Sequence, residues 1–329
     1  MRAVIIGGTG FLGSHLIDHL LEKNYDILCV GRAGSDTTYM DSLGIPRVVG
    51  DIMDQDSIEQ HLQEGDIVFH LSALLGVAKV SREQYFKVNV DGAINVLEAA
   101  ISKHARAFVF PSSFGAMGPV GSPEKPMDED TPCRPDSYYG ESKLMAEEKI
   151  GELGAGRIAT IVVRPPSIFG PRSAPKASAS LLFKTMQKKT VIMIGDTKNY
   201  FPICFVRNLV VAMVTFAEQK QSGHHTYLIA EDPPVKFNEL LTMIGQEFGI
   251  TKRILHIPFW LAYSIAWSFD MLGKLFGFTP LLSRDIVLGM AKSVYFYDIS
   301  KALNDGYQPV ATLAEGIHET AERMQSEQG

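Results

Sequence analysis

The sequence predicts an α/β fold, a doubly wound parallel sheet followed by a smaller, mostly helical C-terminal domain. First, short apolar runs of strand type alternate with segments of helical periodicity through the first half of the 329-residue chain. A repeat of strand, helix and strand over about 30 residues is typical of parallel βαβ units. Second, a glycine-rich turn follows the first strand. Third, the alternation ends after about Pro165, and helical periodicity dominates from there.

The predicted elements follow one another in βαβ order. In the first half, strands are predicted at 2–7, 26–30, 47–49, 66–71, 106–111 and 158–163, and helices at 11–23, 55–62, 83–103 and 138–153. In the second half, helices are predicted at 178–188, 207–219, 236–249, 259–276, 282–292 and 313–327, and strands at 190–194, 200–206 and 225–230. We assign residues 1–165 to the first domain, completed by about 200–230, and residues 166–199 and 231–329 to the second.

Composition and charge exclude several classes of protein. The net charge of −6 argues against a nucleic-acid-binding surface, which needs clustered Lys and Arg. Cys29, Cys133 and Cys204 lie far apart, with neither metal-ligand spacing nor a disulfide pattern, so no metal site and a cytoplasmic location are expected. The chain starts on a strand-like run without the layout of a signal peptide. It contains no stretch of 18 uncharged apolar residues, so a membrane-spanning helix is not expected.

The glycine-rich turn predicts a dinucleotide site. Glycines at such a turn allow a tight bend, close approach of the backbone to a pyrophosphate, and packing of the helix on the strand. The helix that follows offers free N–H groups and a positive dipole end to phosphates. The residues predicted to form this cradle are Gly7, Thr9, Gly10, Phe11, Leu12 and Gly13. The pattern is typical of a Rossmann sheet.

The end of the second predicted strand indicates which nicotinamide cofactor is bound. An acidic residue about 20 positions on would bind the 2′-hydroxyl of NAD, whereas an arginine accommodates the 2′-phosphate of NADP. The acidic position is occupied by Gly31, and Arg32 follows it. NADP(H) is therefore favoured. NAD(H) stays open, because Arg32 could be a solvated surface residue and Asp36 could reach the ribose.

The ends of the third and fourth strands supply further cofactor contacts. Asp51 is placed to accept from the adenine amino group, with Ile52 against the ring, while Asp54 is the better N-cap for the next helix. Leu71, Ser72 and Ala73 are predicted to line the cofactor trough. We interpret His70 as a packed, hydrogen-bonded histidine and not as a catalytic base.

Tyr139 and Lys143 are predicted to carry the chemistry. Their spacing of four places both on one helix face. The ordinary pKa of tyrosine, near 10, is far from neutrality, and a neighbouring cation lowers it by favouring the phenolate. Ser113 ends the fifth predicted strand, where its hydroxyl can hold the substrate oxygen that Tyr139 protonates or deprotonates.

On these motifs, residues 1–230 resemble the extended short-chain dehydrogenase/reductase superfamily, the group of NAD-dependent epimerases and dehydratases. The matching segments are Gly7-x-x-Gly10-x-x-Gly13, Gly50-Asp51, His70-x-Ser72-Ala73, Asn89-Val90-x-Gly92, Ser112-Ser113, Tyr139-x-x-x-Lys143 and Arg164-Pro165. The resemblance implies that Asn89 supports the active site through the cofactor loop, and that Pro166 and Ile168 contact the nicotinamide. It also implies a homodimer that pairs through the helices at 83–103 and 138–153.

Departures from the family pattern narrow the chemistry. Sugar dehydratases carry Asp-Glu directly after the catalytic hydroxyl residue, where this chain has Phe114-Gly115, so a dehydratase is not expected. Nucleotide-sugar epimerases carry an arginine and an aspartate at the places of Phe201 and Asn208. An aromatic ring cannot replace a bidentate Arg–phosphate contact. Lys198 or Arg207 could bind phosphate instead, so an epimerase stays open. Residues 195–208 resemble the corresponding segment of the 3β-hydroxysteroid dehydrogenase-like branch.

An apolar, aromatic segment at 258–278 bears on the substrate. Ser264, Ser268, Asp270 and Lys274 lie within one polar stripe of its helical wheel. It fits a core helix, a wall for a hydrophobic substrate, or an interfacial helix on a membrane surface. Of the two functional interpretations we favour the substrate wall over membrane contact, because few cations border the segment.

The sequence thus predicts an NADP(H)-preferring oxidoreductase that interconverts a secondary alcohol and a ketone on a largely apolar small molecule, sterol-like or β-hydroxy/β-keto acyl. One alternative is a nucleotide-sugar 4-epimerase with tightly bound NAD. A non-enzyme alternative is an NADP(H)-sensing regulator, which would have no physical need to retain Ser113, Tyr139 and Lys143 together.

Overall fold

A seven-stranded parallel sheet forms the centre of the protein. The structure, a computed structural model, describes residues 1–78, 80–119, 121–173, 178–188, 190–195, 199–249, 253–276 and 295–327. In chain order the strands of the sheet are β1 (Arg2–Ile6), β2 (Asp26–Gly31), β3 (Arg47–Val49), β4 (Ile67–His70), β5 (Ala107–Pro111), β6 (Ala159–Arg164) and β10 (His224–Leu228).

The sheet is doubly wound. Its strand order is β10-β6-β5-β4-β1-β2-β3, so the chain runs outward from β1 to β3 and then returns to β4 on the other side of β1. Ile5 of β1 is paired with Cys29 of β2 and with Phe69 of β4. The strand order reverses between β1 and β4, and at such a point a crevice opens beyond the carboxyl ends of the strands. The predicted fold class is confirmed.

The helices of the first half follow the predicted pattern. They are α1 (Phe11–Glu22), α2 (Thr38–Ser42), α3 (Gln55–Glu59), α4 (Arg82–Phe86), α5 (Gly92–Ser102) and α6 (Tyr138–Gly154). The predicted helix at 83–103 is interrupted by a π-helical turn, Lys87–Asp91, between α4 and α5. Helix α3 begins after Asp54, whose side chain accepts a hydrogen bond from the N–H of Ser57, as the sequence predicts. The short helix α2 was not predicted.

Each face of the sheet has its own apolar core, because successive side chains of a strand point to opposite faces. Ala3 and Ile5 of β1 belong to one core, together with Leu16 of α1. Val4 and Ile6 belong to the other, which the apolar side chains of α5 and α6 complete. Both cores are built mainly from Ala, Val, Ile, Leu and Phe, and their burial is the main favourable contribution to folding.

The second half adds two small parallel sheets and the remaining helices. The pairs are β7 (Ser167–Phe169) with β9 (Ile203–Phe205), and β8 (Thr190–Ile194) with β11 (Arg253–Ile257). The helices are α7 (Ser178–Met186), α8 (Val206–Gln219), α9 (Phe237–Glu247), α10 (Phe259–Phe276), α11 (Ser300–Asn304) and α12 (Leu313–Ser326). Strands β7 and β11 were not predicted, and the helix predicted at 282–292 lies outside the described residues.

Some residues that the sequence assigned to the second domain pack in the core of the first. Tyr297, Ile299, Ala302 and Tyr307 are buried in the same core as Ala3 and Ile5. The stretch 295–307 therefore packs with the sheet and not apart from it. The remaining domain boundaries stay a prediction.

Helix α10 presents an apolar surface to solvent. Trp260 is 67% exposed and Met271 53%, whereas Ala262 and Ala266 are buried. The helix is therefore not a core helix along its described side chains. The substrate-wall and membrane-contact interpretations both stay predictions. Among the described residues, no helix is long and apolar enough to cross a bilayer.

Candidate active site

The predicted site residues lie at one edge of the sheet. Gly7 follows β1, Arg32 follows β2, Asp51 follows β3, Leu71 follows β4 and Ser113 follows β5. Parallel strands end at the same edge of their sheet, so these residues of distant sequence position share one crevice.

The glycine turn is shaped for close approach of a phosphate. Gly7 has a φ of 92°, and a Cβ added there would lie 2.6 Å from Ser72 Oγ. A Cβ on Gly13 would lie 2.5 Å from the carbonyl oxygen of Gly8, so α1 packs on the turn without room for a side chain. Thr9 and Gly10 are exposed, and no side chain caps the N-terminus of α1. The first N–H groups of the helix, at Phe11, Leu12 and Gly13, have no intrahelical acceptor. These features fit the pyrophosphate of a dinucleotide.

The predicted adenosine end is open and polar. Arg32 is exposed, and its guanidinium makes no hydrogen bond or ion pair with the part of the chain that the structure describes. Asp36 accepts hydrogen bonds from the N–H and hydroxyl of Thr38, which lower the pKa of its carboxyl. The carboxylate of Asp51 accepts a bond of 2.9 Å from the N–H of Met53. Ile52 packs against Gly92, where an added Cβ would lie 2.7 Å from its Cδ1.

Ser113 and Tyr139 converge beside Gly115. The N–H of Gly115 donates a 3.0 Å hydrogen bond to Ser113 Oγ. A Cβ added at Gly115 would lie 3.3 Å from Ser113 Oγ and 3.6 Å from Cδ1 and Cε1 of Tyr139. The serine hydroxyl and the tyrosine ring therefore face the same small space. Tyr139 lies in the first turn of α6, which Ser137 caps by accepting from the N–H of Gly140.

Lys143 is buried one turn further along α6. Its Nζ donates a 2.8 Å hydrogen bond to the carbonyl oxygen of Pro111 and lies 4.3 Å from the ring centroid of Phe110. Burial lowers the pKa of Lys143 to about 8. Burial also raises the pKa of Tyr139, and the nearby Ser113 hydroxyl opposes that rise. In this arrangement burial is the largest contribution to the Tyr139 pKa, and the lowering expected from Lys143 stays a prediction.

Asn89 connects the loop after β4 to α6. Its Oδ1 accepts from the N–H of Leu74 at 2.7 Å, and its Nδ2 donates to the carbonyl oxygen of Leu74 and to Ser142 Oγ. This geometry fits the supporting role that the family resemblance implies.

The remaining predicted cofactor contacts lie beside the same crevice. Pro166 and Ile168 follow β6 and are partly buried. Ser72 and Ala73 follow Leu71, whose N–H donates to the carbonyl oxygen of Ile6 at the end of β1. The segment after β4 is thereby tied to the strand that leads into the glycine turn.

His70 differs from its prediction in one respect. It is 1% exposed and stacks against Phe108 and Phe110, with ring centroids 6.1 and 6.0 Å away. Neither ring nitrogen has a hydrogen-bond partner in the described part of the chain, so packing is confirmed and the predicted hydrogen bond is not found there. Burial lowers the pKa of His70 to about 3, and a neutral ring of this kind is no base at neutral pH.

Sequence reasoning missed two residues that shape the space around Tyr139. A Cβ on Gly76 would lie 3.3 Å from Tyr139 Cδ1. The ring of Tyr85 lies edge-on to that of Tyr139, with centroids 6.3 Å apart. A lone glycine in a loop and a tyrosine in a helix carry no local signal of function, and only the tertiary contact identifies them.

Three positions that depart from the pattern expected of sugar enzymes have apolar or structural contacts. Phe201 stacks on Phe237 with centroids 4.9 Å apart. Asn208 is buried, and its Oδ1 accepts from the N–H groups of Val310 and Ala311. Phe114 is buried directly after Ser113. Lys198 lies outside the described residues, which contain no cluster of metal-ligating side chains.

Comparison with known proteins agrees with this geometry. The sequence model of the NAD dependent epimerase/dehydratase family matches residues 3–230. The chain is 27% identical to a sterol-4-alpha-carboxylate 3-dehydrogenase (decarboxylating) of Mus musculus, over 98% of this chain and 90% of that protein. It is 26% identical to an N-acetyl-alpha-D-glucosaminyl-diphospho-ditrans,octacis-undecaprenol 4-epimerase of Escherichia coli O157:H7, over 97% and 94%. It is 27% identical to a 2-alkyl-3-oxoalkanoate reductase of Shewanella oneidensis, over 96% and 84%.

A solved structure gives the same result for the fold. The UDP-glucose 4-epimerase of Thermus thermophilus, in complex with NAD, superposes with a TM-score of 0.77 at 21% identity, over 99% of each chain. The family match covers well over half of the sequence and includes the glycine turn, Ser113, Tyr139 and Lys143. The chain therefore belongs to the NAD dependent epimerase/dehydratase family and is an NAD(P)-dependent enzyme of the extended short-chain dehydrogenase/reductase type.

Proposed function

We propose that this enzyme is an NADP(H)-preferring oxidoreductase that interconverts a secondary alcohol and a ketone on a largely apolar substrate, sterol-like or β-hydroxy/β-keto acyl. The observation that carries the proposal is the convergence of the Ser113 hydroxyl and the Tyr139 ring on the space beside Gly115. That space lies at the sheet edge that also holds the glycine turn. A substrate oxygen there is within reach of one hydroxyl that holds it and one phenol that exchanges a proton with it.

The roles of the chain's own groups follow from their positions. Ser113 orients the substrate oxygen, and Tyr139 gives a proton to it or takes one from it. Lys143 stabilises the phenolate form when its ammonium faces Tyr139. The glycine turn would hold the pyrophosphate, and Pro166 and Ile168 would lie against the nicotinamide ring. When bound, the dinucleotide supplies or accepts the hydride.

Arg32 supports the preference for NADP(H). The guanidinium is exposed directly after β2 and has no partner among the described side chains, so it is free to bind a 2′-phosphate. Asp36, the residue that could have bound a ribose hydroxyl, has its carboxylate engaged with Thr38. Both observations favour the phosphorylated cofactor.

The apolar substrate is supported by relatives and by Phe201. The names of the mouse dehydrogenase and the Shewanella reductase each describe an oxygen function β to a carboxylate, on a sterol or an alkyl chain. The position at which nucleotide-sugar enzymes carry a pyrophosphate-binding arginine is here an aromatic ring stacked on Phe237. An apolar ring offers neither a charge nor a hydrogen bond to a pyrophosphate.

The test is turnover of apolar ketones and β-keto acyl compounds, followed by the absorbance of NADPH and of NADH. We expect the wild type to oxidise NADPH. In Tyr139→Phe the rate should fall by a factor of at least about 100, while the affinity for the cofactor is retained. The neighbouring Tyr138, 54% exposed, provides the control variant Tyr138→Phe, which should keep full activity. Retention of most activity in Tyr139→Phe contradicts the assignment of the phenol.

A second candidate function is a 4-epimerase of a nucleotide sugar with tightly bound NAD. The similarity to the 4-epimerase of Escherichia coli O157:H7, over 97% of this chain, favours 4-epimerase chemistry. The name of that protein describes a sugar linked to a diphospho-polyprenol and not to a nucleotide. Incubation with UDP-glucose or UDP-galactose distinguishes the two functions. Formation of the epimer without net change of the cofactor replaces the proposed oxidoreductase. If the protein binds NADPH but turns over none of these substrates, the result indicates the NADP(H)-sensing regulator.

A further inference from the structure

The first part of the loop between β4 and α4, residues 71–78, packs against the candidate catalytic tyrosine. A Cβ added at Gly76 would lie 3.3 Å from Cδ1 and 3.5 Å from Cγ of Tyr139. A side chain at position 76 would crowd the ring, which would have to shift by a few tenths of an ångström. The loop backbone therefore forms one wall of the space beside the phenol, and position 76 adds no side chain to that wall.

Buried side chains hold this loop in place. The hydroxyl of Tyr85 lies 2.7 Å from the carbonyl oxygen of Ala78 and 3.0 Å from that of Leu75. Asn89 bonds both backbone groups of Leu74. Tyr85 and Asn89 are 4% and 1% exposed. A loop with its backbone fixed by such contacts presents its remaining side chains in defined positions.

The side chains on either side of Gly76 are aliphatic and exposed. Leu75 is 60% exposed and Val77 is 64% exposed. Consecutive Cα atoms are about 3.8 Å apart, so the Cα atoms of both residues lie within about 9 Å of the Tyr139 ring. Residues 71–78 include no charged residue. Leu75 and Val77 therefore present aliphatic side chains to solvent on a fixed loop at the crevice.

We infer that Leu75 and Val77 form an apolar subsite, which contacts the part of the substrate next to the reacting carbon and selects an alkyl or ring system over a sugar. The inference deepens the proposed function and rests on it for the position of the reacting carbon. A hydrophobic contact discriminates between substrates that differ in apolar surface, because each buried methylene group adds to binding in the transition state.

The experiment measures selectivity for chain length. A series of 3-oxo acyl compounds and 2-alkanones with short to long alkyl chains is reduced with NADPH by the wild type, Leu75→Ser, Val77→Ser and the double variant. We expect the ratio of kcat/KM for the longest over the shortest ketone to fall about 10-fold in each single variant and further in the double. Val310→Ser, at a 51% exposed aliphatic residue outside the loop, should keep the wild-type ratio.

Two outcomes overturn the inference. One is a wild-type ratio in both loop variants, and the other is a fall in kcat/KM that is equal for every chain length, which indicates general damage near Tyr139. Calorimetric titration of the same proteins with a long-chain 2-alkanone gives a second readout. If the wild type turns over no ketone, the proposed function fails. The subsite is then tested by binding alone: weaker binding of the alkanone to Leu75→Ser than to the wild type supports it, and equal binding rejects it.

Discussion

The ammonium of Lys143 donates a 2.8 Å hydrogen bond to the carbonyl oxygen of Pro111, the last residue of β5. Ser113 lies two residues beyond Pro111, so this bond ties helix α6 to the strand end that carries the serine. The ammonium is buried and lies 4.3 Å from the centroid of the Phe110 ring.

Replacement of Lys143 by Met should remove activity and change the pH dependence of stability. The pKa of Lys143 is lowered to about 8 in the folded protein from an ordinary value of 10.5. Between pH 8 and 10.5 the unfolded chain therefore keeps a proton that the folded chain has lost. This group consequently makes the free energy of unfolding of the wild type rise with pH over that range. Lys143→Met should lack this contribution and lose turnover about 100-fold or more.

Chemical denaturation between about pH 7 and pH 11 and steady-state kinetics check both effects. Lys149→Met is the matched control, since Lys149 lies on the same helix, is 42% exposed and pairs with Glu152. If the free energy of unfolding depends on pH in the same way in the wild type and in Lys143→Met, the buried amine does not titrate as described.

Exchange of Arg32 for Asp should reverse the cofactor preference. The guanidinium is exposed and without a partner among described residues, so stability should change by less than about 0.5 kcal/mol. An aspartate repels the 2′-phosphate and can accept from a 2′-hydroxyl. Dissociation constants for NADPH and NADH measure the effect. Arg157→Asp makes the same change of charge at an exposed position before β6, far from the glycine turn, and should leave the preference as it is. A preference that survives Arg32→Asp contradicts our assignment.

Alanine substitutions in the glycine turn should separate folding from cofactor binding. A Cβ on Gly13 would lie 2.5 Å from a backbone oxygen that cannot move, whereas the nearest atom to a Cβ on Gly10 is 3.5 Å away. Gly13→Ala should therefore cost about 1–3 kcal/mol of stability. Gly10→Ala should keep the melting temperature and weaken dinucleotide binding, because the methyl group enters the space of the pyrophosphate. Melting curves and titration of NADPH test the pair, and the opposite pattern would place the pyrophosphate elsewhere.

The buried ion pair of Arg164 and Glu147 should be strongly coupled. Arg164 Nε lies 3.0 and 3.2 Å from the two carboxylate oxygens, and the side chains are only 8% and 4% exposed. Either Arg164→Met or Glu147→Leu alone leaves a buried charge unpaired and should cost about 3–5 kcal/mol. The double variant should recover most of that loss. Urea denaturation of the four proteins gives the coupling energy, and additive losses would mean that the pair is not a unit.

Much of this enzyme could be predicted from local sequence pattern. Strands β1 to β6 and the long helices α1, α5, α6 and α8 have strong apolar periodicity, because each must bury one face or both against its neighbours. The glycine turn could be recognised because its function requires glycines at fixed spacing directly after a strand. The pair of Tyr139 and Lys143 could be recognised because a spacing of four brings two side chains to one face of a helix.

The rest depends on contacts between residues that are distant in the chain. Strands β7 and β11 are short, and each is stabilised by a partner strand from a distant part of the sequence, so neither has a pattern of its own. The contact of Lys143 with Pro111 and the unpartnered ring nitrogens of His70 result from packing between α6 and the sheet, within the described part of the chain. The position of Gly76 against Tyr139 joins a loop residue and a helix residue with no common motif.

The sequence by itself determined the type of sheet, the glycine turn and the candidate reacting groups, because periodicity and motif spacing are local properties of the chain. Only the tertiary structure decided which groups surround the phenol, where the ammonium of Lys143 rests, and that Leu75 and Val77 stand exposed beside the site. The physical reason is that pKa values, close approach and exposure depend on the atoms that surround a group in space, and folding brings those atoms together from distant parts of the chain.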